Sequence, residues 1–162
     1  MQKLCFLLLM VVSSLMASAQ SDSLTKTRFV IGLSAPELLH TGISFDLGKM
    51  NQFGATAGIG PSMGTVWPTL NIEHRLYFGK IITTTNRRRW FFKQGFTWFT
   101  EDKDQKALTF TVGADLKSKA SNNGWTIDIG GFVLLQNDRD RKNQFYPALR
   151  FQHYNYFKKA KK

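Results

Sequence analysis

Along most of the chain apolar and polar residues alternate one for one, the period of a strand whose two faces meet different surroundings. Eight such segments can be read: Arg28 to Ala35, Thr41 to Lys49, Phe53 to Gly60, Thr69 to Phe78, Trp90 to Thr100, Leu108 to Lys117, Trp125 to Leu135 and Phe145 to Phe157. The sixth alternates without exception, with Leu108, Phe110, Val112, Ala114 and Leu116 against Thr109, Thr111, Gly113, Asp115 and Lys117. The fifth is less regular, because Phe91 and Phe99 fall on its polar face. Helical periodicity is hard to find. Turn residues fill the connections: Met50-Asn51-Gln52, Pro61-Ser62-Met63-Gly64, EDKDQ, ASNNG and NDRDRKN.

An even number of strands, each roughly ten residues long and joined in sequence order, predicts an all-β fold. The expected form is an eight-stranded antiparallel up-and-down transmembrane β-barrel with a polar, charge-paired lumen. Alternation alone leaves open a soluble lipocalin-like barrel, whose apolar face points inward onto a ligand. Three features favour apolar-out. First, the polar face holds Gly32, Gly42, Gly48, Gly54, Gly58, Gly95, Gly113 and Gly130, and a narrow lumen has room for little more.

Second, the charges on that face balance. Arg28, Arg75, Lys93 and Arg150 stand against Asp46, Glu73, Asp115 and Asp128, as ions shut away from water require. Third, aromatics gather towards segment ends, the arrangement of interfacial girdles. Trp67, Trp90, Trp98, Trp125, Tyr154, Tyr156 and Phe157 are the expected girdle, with Tyr77 beside them.

The N-terminus adds a compartment. Lys3 precedes an apolar run from Leu4 to Met16, and Ala17-Ser18-Ala19 offers a small-x-small cleavage site. Residues 1–19 therefore read as a secretory signal peptide, 20–157 as one barrel domain and 158–162 as a basic C-terminal tail. Cys5, the one cysteine, would leave with the signal. No disulfide framework is then possible, and no metal or cofactor is called for.

A net charge of +11 and a pI near 10 would ordinarily suggest nucleic acid. Export argues against that partner. The lumen charges cancel, and one set of loops, holding Glu37, Glu101, Asp102, Lys103, Asp104, Lys106, Asp138, Arg139, Asp140, Arg141 and Lys142, is nearly neutral. The excess gathers on the side of the termini, as a basic collar of Lys80, Arg87, Arg88, Arg89, Lys158, Lys159, Lys161 and Lys162. Lys49, Lys117 and Lys119 join it there. Such a one-sided collar suits anionic headgroups.

With these elements in place the chain resembles the small eight-stranded outer-membrane β-barrels of Gram-negative bacteria, over about Thr27 to Phe157. NIEHRLYFGK, Asn71 to Lys80, is similar to a strand of proteins described as outer-membrane β-barrel domain proteins. The resemblance implies a monomeric barrel in contact with outer-membrane lipids, inserted by the outer-membrane assembly machinery. It also implies an activity drawn from a wide range: anchoring, adhesion, defence or lipid modification. The chain departs from the pattern at its end, where Phe157 is followed by KKAKK instead of closing the chain.

Candidate chemistry is sparse. His74 and His153 fall on the apolar register and His40 in the first connection, four residues before Ser44. A lipid A-modifying enzyme would use one of them as a general base. His74 and His153 are expected apart, on strands that are not neighbours, and no His-x-Ser pair occurs. The expectation is a structural or interaction barrel without enzymatic activity, its lumen plugged by side chains and closed as a pore. A lipid A-modifying barrel enzyme and a soluble periplasmic lipid-binding barrel are the alternatives.

Overall fold

The structure, a computed structural model, describes residues 26–47, 50–62, 65–78, 86–100, 105–118, 122–136 and 143–157. The expected signal segment and the basic tail lie outside them. Eight strands follow one another: β1 (Lys26–Ser34), β2 (Leu39–Leu47), β3 (Asn51–Ser62), β4 (Thr65–Phe78), β5 (Asn86–Phe99), β6 (Gln105–Ser118), β7 (Asn123–Gln136) and β8 (Gln144–Tyr156). Each pairs antiparallel with the next, and β1 closes the ring on β8. The eight-stranded up-and-down barrel expected from alternation is the observed fold.

Several strands run further than the alternation suggested. Asn51, Gln52, Pro61 and Ser62 were expected in turns but belong to β3, and β4 begins at Thr65 instead of Thr69. These additions bring the rim to different heights. Leu39 of β2 pairs with Ile59, so residues 60–62 of β3 run on past β2. Ser34 of β1 pairs with Arg150, so residues 144–149 of β8 run on past β1. The first hairpin therefore sits in a notch between β8 and β3.

Both edges of that notch carry a proline. The Leu38 N–H donates to the Ile59 carbonyl (2.7 Å) and the Ala35 N–H to the Leu149 carbonyl (3.1 Å). Alternate residues of an antiparallel strand turn their backbone groups to the same neighbour. Pro61 and Pro147 thus put their missing donors on the two unpaired edges, where no ladder bond is lost and further pairing is discouraged.

The two faces are sharply different. Ile72, Ile129 and Leu149 point outward and are 63%, 68% and 61% exposed, whereas Arg75, Asp128 and Arg150 point inward at 1–2%. The interior has an apolar part too, with one cluster at the end away from the termini. Phe99, Ala107, Phe132 and Ala148 pack there, with Ala35, Trp67 and Leu134 against them. Phe91 and Phe99, the residues that spoiled the fifth segment's alternation, are both fully buried inside.

Two glycines on the polar register give room to their neighbouring strands. At Gly113 a Cβ would lie 2.5 Å from the Asp128 Cβ and 2.6 Å from the Phe91 ring. At Gly130 it would lie 2.1 Å from the Phe110 carbonyl oxygen.

Candidate functional site

The eight charged residues expected in the lumen all point into it, and they divide into two clusters. The central one is built around Arg150 of β8, which reaches across to Glu73 of β4 on the opposite wall. Glu73 also pairs with Arg75 (2.7 Å), and Arg75 donates to Gln152. Lys93 pairs with Asp128 at 2.9 Å. All of these side chains are buried, a setting in which an ion without its partner is costly.

A member that sequence reasoning placed in a neutral outer loop completes this cluster. Glu37, in the connection between β1 and β2, is 1% exposed and pairs with Arg150 at 2.8 Å. Ser34 Oγ donates to its carboxylate (3.0 Å), and Thr56 Oγ1 lies 3.4 Å from its other oxygen. Glu37, Glu73 and Asp128 then balance Arg75, Lys93 and Arg150. The missed signal was Ser34-x-x-Glu37, in which the serine N–H meets the connection's carbonyl and its hydroxyl the carboxylate.

The second cluster closes the end near the termini. Arg28 pairs with Asp46 (2.7 Å) and Asp115 (3.1 Å). Its guanidinium lies over the rings of Tyr154 (4.6 Å) and Tyr156 (4.8 Å), a cation held by both charge and π-faces. Gln52 donates to Asp46 (2.6 Å), Tyr156 donates to Asp46 (3.2 Å) and Tyr154 donates to Asp115. Tyr77 Oη lies 3.3 Å from both Gln52 and Asp115. Arg89, expected in the outer basic collar, instead covers the Tyr77 ring at 4.6 Å and pairs in register with Asp115. With it, two cations face two carboxylates here as well.

The aromatic girdle divides in the same way. Trp90, Trp98, Trp125 and Phe157 are outward and 44–59% exposed. Tyr154 and Tyr156 are not in the girdle, since their hydroxyls belong to the Arg28 cluster. The same correction applies to Tyr77, at 2% exposure. Trp67 packs on the internal apolar cluster. Each lies on the polar register of its strand, and register overrides position along the strand. Of the expected collar, Lys80, Lys158, Lys159, Lys161 and Lys162 and the side chains of Arg87 and Arg88 lie outside the described residues.

The three histidines stand apart. His40 is inward and buried, its Nδ1 3.2 Å from Ser34 Oγ and its Nε2 without a partner among the described residues. His74 is outward, stacked on Phe53 (4.6 Å), with its ring nitrogens 3.0 Å from Asn51 Oδ1 and 3.2 Å from Gln94 Nε2. His153 lies against Trp125 at 4.6 Å. β4 and β8, which carry His74 and His153, share no ladder. Beside the central cluster is a cavity with about 10 Å³ open to the centre of a water molecule, roughly one water's worth. Pro36, Glu37, Asn71, Lys93 and Arg150 are among its walls.

No protein-family model, curated protein or solved structure matches this chain.

Proposed function

We propose that this protein is a small β-barrel of a Gram-negative outer membrane, with a structural or interaction role and a lumen plugged by its own side chains. One observation carries the reading: among the described residues the barrel is inverted, with most of its ionised groups inside and most of its large apolar groups outside. Outward Phe29, Ile31 and Leu33 of β1 and Ile127 and Ile129 of β7 are each at least 40% exposed. A continuous apolar exterior of this kind is stable against hydrocarbon and prone to aggregate in water. Charges balanced within each cluster support a plug instead of an open path, because every buried ion is already matched.

Outward Trp90, Trp98, Trp125 and Phe157 supply aromatic side chains suited to the two lipid interfaces. The residues 1–19 read as an export signal supply the route, with the outer-membrane assembly machinery as the inserting partner. The basic residues near the termini would face anionic headgroups on the periplasmic side. A structural role rests on the same matched interior, in which the ionised side chains of both clusters hold one another.

Fractionation of the cells that make the protein tests this reading. Recovery in the outer membrane, with a gel mobility that changes on boiling, is the expected result. Recovery in the soluble periplasm without detergent would overturn it.

A further inference from the structure

Glu37 is held as a ligand is held. It comes from a connection, not a strand, yet it is 1% exposed. Its carboxylate meets Arg150 at 2.8 Å, Ser34 at 3.0 Å and Thr56 at 3.4 Å. We propose that Arg150, Ser34 and Thr56 form a carboxylate-binding site that Glu37 occupies as a built-in ligand, and that a small carboxylate from solution exchanges with it.

Charge and shape both bear on the exchange. Without Glu37 the central cluster would hold Arg75, Lys93 and Arg150 against only Glu73 and Asp128. An uncompensated buried cation is costly, so the connection leaves most readily when another anion takes its place. The connection sits in the notch of the rim, where β8 and β3 outrun the first hairpin. Two backbone bonds tie it to the rim, from Ala35 to Leu149 (3.1 Å) and from Leu38 to Ile59 (2.7 Å), and the Ser34 N–H closes the hairpin on the Glu37 carbonyl (3.0 Å). Gly60 makes room for it, since a Cβ at that position would lie 2.8 Å from the Pro36 carbonyl oxygen. Behind it lies the cavity walled by Pro36, Glu37, Glu73, Lys93 and Arg150, so outward movement of the connection enlarges a space where, once Glu37 has left, two cations face the single carboxylate of Glu73.

The exchange swaps one ion-pair partner for another and makes no covalent bond. A carboxylate as small as formate fits the space vacated by the Glu37 head group. A bulky sulfonate carries the charge but not the size.

The test uses the full chain, folded and purified, with the far-ultraviolet β-sheet signal and a cooperative melt as the check that each variant is folded. Glu37→Ala is expected to melt at a lower temperature than the unaltered protein and to regain a few degrees as formate is titrated, with saturation. A bulky sulfonate at equal ionic strength restores nothing, and neither does formate when Arg150→Gln is added. A folded Glu37→Ala whose melting ignores formate, or responds equally in the Arg150→Gln background, overturns the site. Exchange in the unaltered site is read with Ala35→Cys in a Cys5→Ser background. Formate is expected to speed thiol labelling at residue 35, and a rate independent of formate overturns the exchange. These readouts are separate from the membrane reading, because neither depends on where the barrel resides.

Discussion

Arg150 on β8 and Glu73 on β4 stand on opposite walls of the barrel and meet in its centre, the same Arg150 taking Glu37 of the first connection at 2.8 Å. The contact joins residues 77 apart in sequence and braces the ring across its diameter. Arg150→Ala and Glu73→Ala are each expected to cost about 3–5 kcal/mol, because each leaves a buried charge behind. The double variant is expected to cost less than the two together by about 1–3 kcal/mol. Reversible urea unfolding of the four chains gives the coupling directly. Strict additivity would mean that the pair does not brace the barrel.

Arg28 is the corresponding centre near the termini, shared by Asp46 and Asp115 and covered by two tyrosine rings. A lysine keeps the charge but loses the planar fork and the stacking. Arg28→Lys is expected to destabilise by about 1–3 kcal/mol. Thermal melting in comparison with Tyr154→Phe checks it. The phenylalanine keeps the ring and loses the hydroxyl bond to Asp115, so its cost should be the smaller.

Gly130 faces the Phe110 carbonyl so closely that a methyl group would stand 2.1 Å from the oxygen. Backbone, unlike a flexible side chain, has little freedom to move aside. Gly130→Ala is expected to destabilise by about 1–3 kcal/mol, as overpacking does. A change within about 0.5 kcal/mol, the usual range at a surface position, would show that the ladder yields there.

How much of this was legible in the sequence follows from what alternation encodes. Period two fixes which residues share a face, so the strand count, the closed barrel and the shared face of the eight charged residues are legible in the sequence. It does not fix where a strand ends. Asn51, Gln52, Pro61 and Ser62 have turn composition and still extend β3, because a long neighbour offers them backbone partners. The prolines are tolerated there because the edge they occupy is open.

Position along a strand misled where register should have decided. Tyr154, Tyr156, Tyr77 and Trp67 lie near strand ends, where girdle aromatics are expected, but each is on the inward face. Glu37 reads in the sequence as a loop charge, because alternation is silent about connections. A carboxylate there turns inward only if a cation such as Arg150 is waiting, and that cation lies 113 residues away in sequence.

Ile129 separates the membrane reading from a soluble one. It is outward, in the middle of β7 and 68% exposed. In hydrocarbon, Ile129→Arg is expected to cost about 2–4 kcal/mol, measured by unfolding from lipid vesicles. On a surface facing water the same change would fall within about 0.5 kcal/mol.

The most direct measurement uses the tryptophans, since outward Trp90, Trp98 and Trp125 and inward Trp67 report on opposite faces of one wall. Single-tryptophan versions of the chain are folded into vesicles whose lipids carry bromine at known depths. A barrel set in lipid with this register is expected to show strong quenching of Trp90, Trp98 and Trp125 by bromine near the interfaces and weak quenching of Trp67. Quenching that is absent from the three outward tryptophans, or strongest for Trp67, would contradict it.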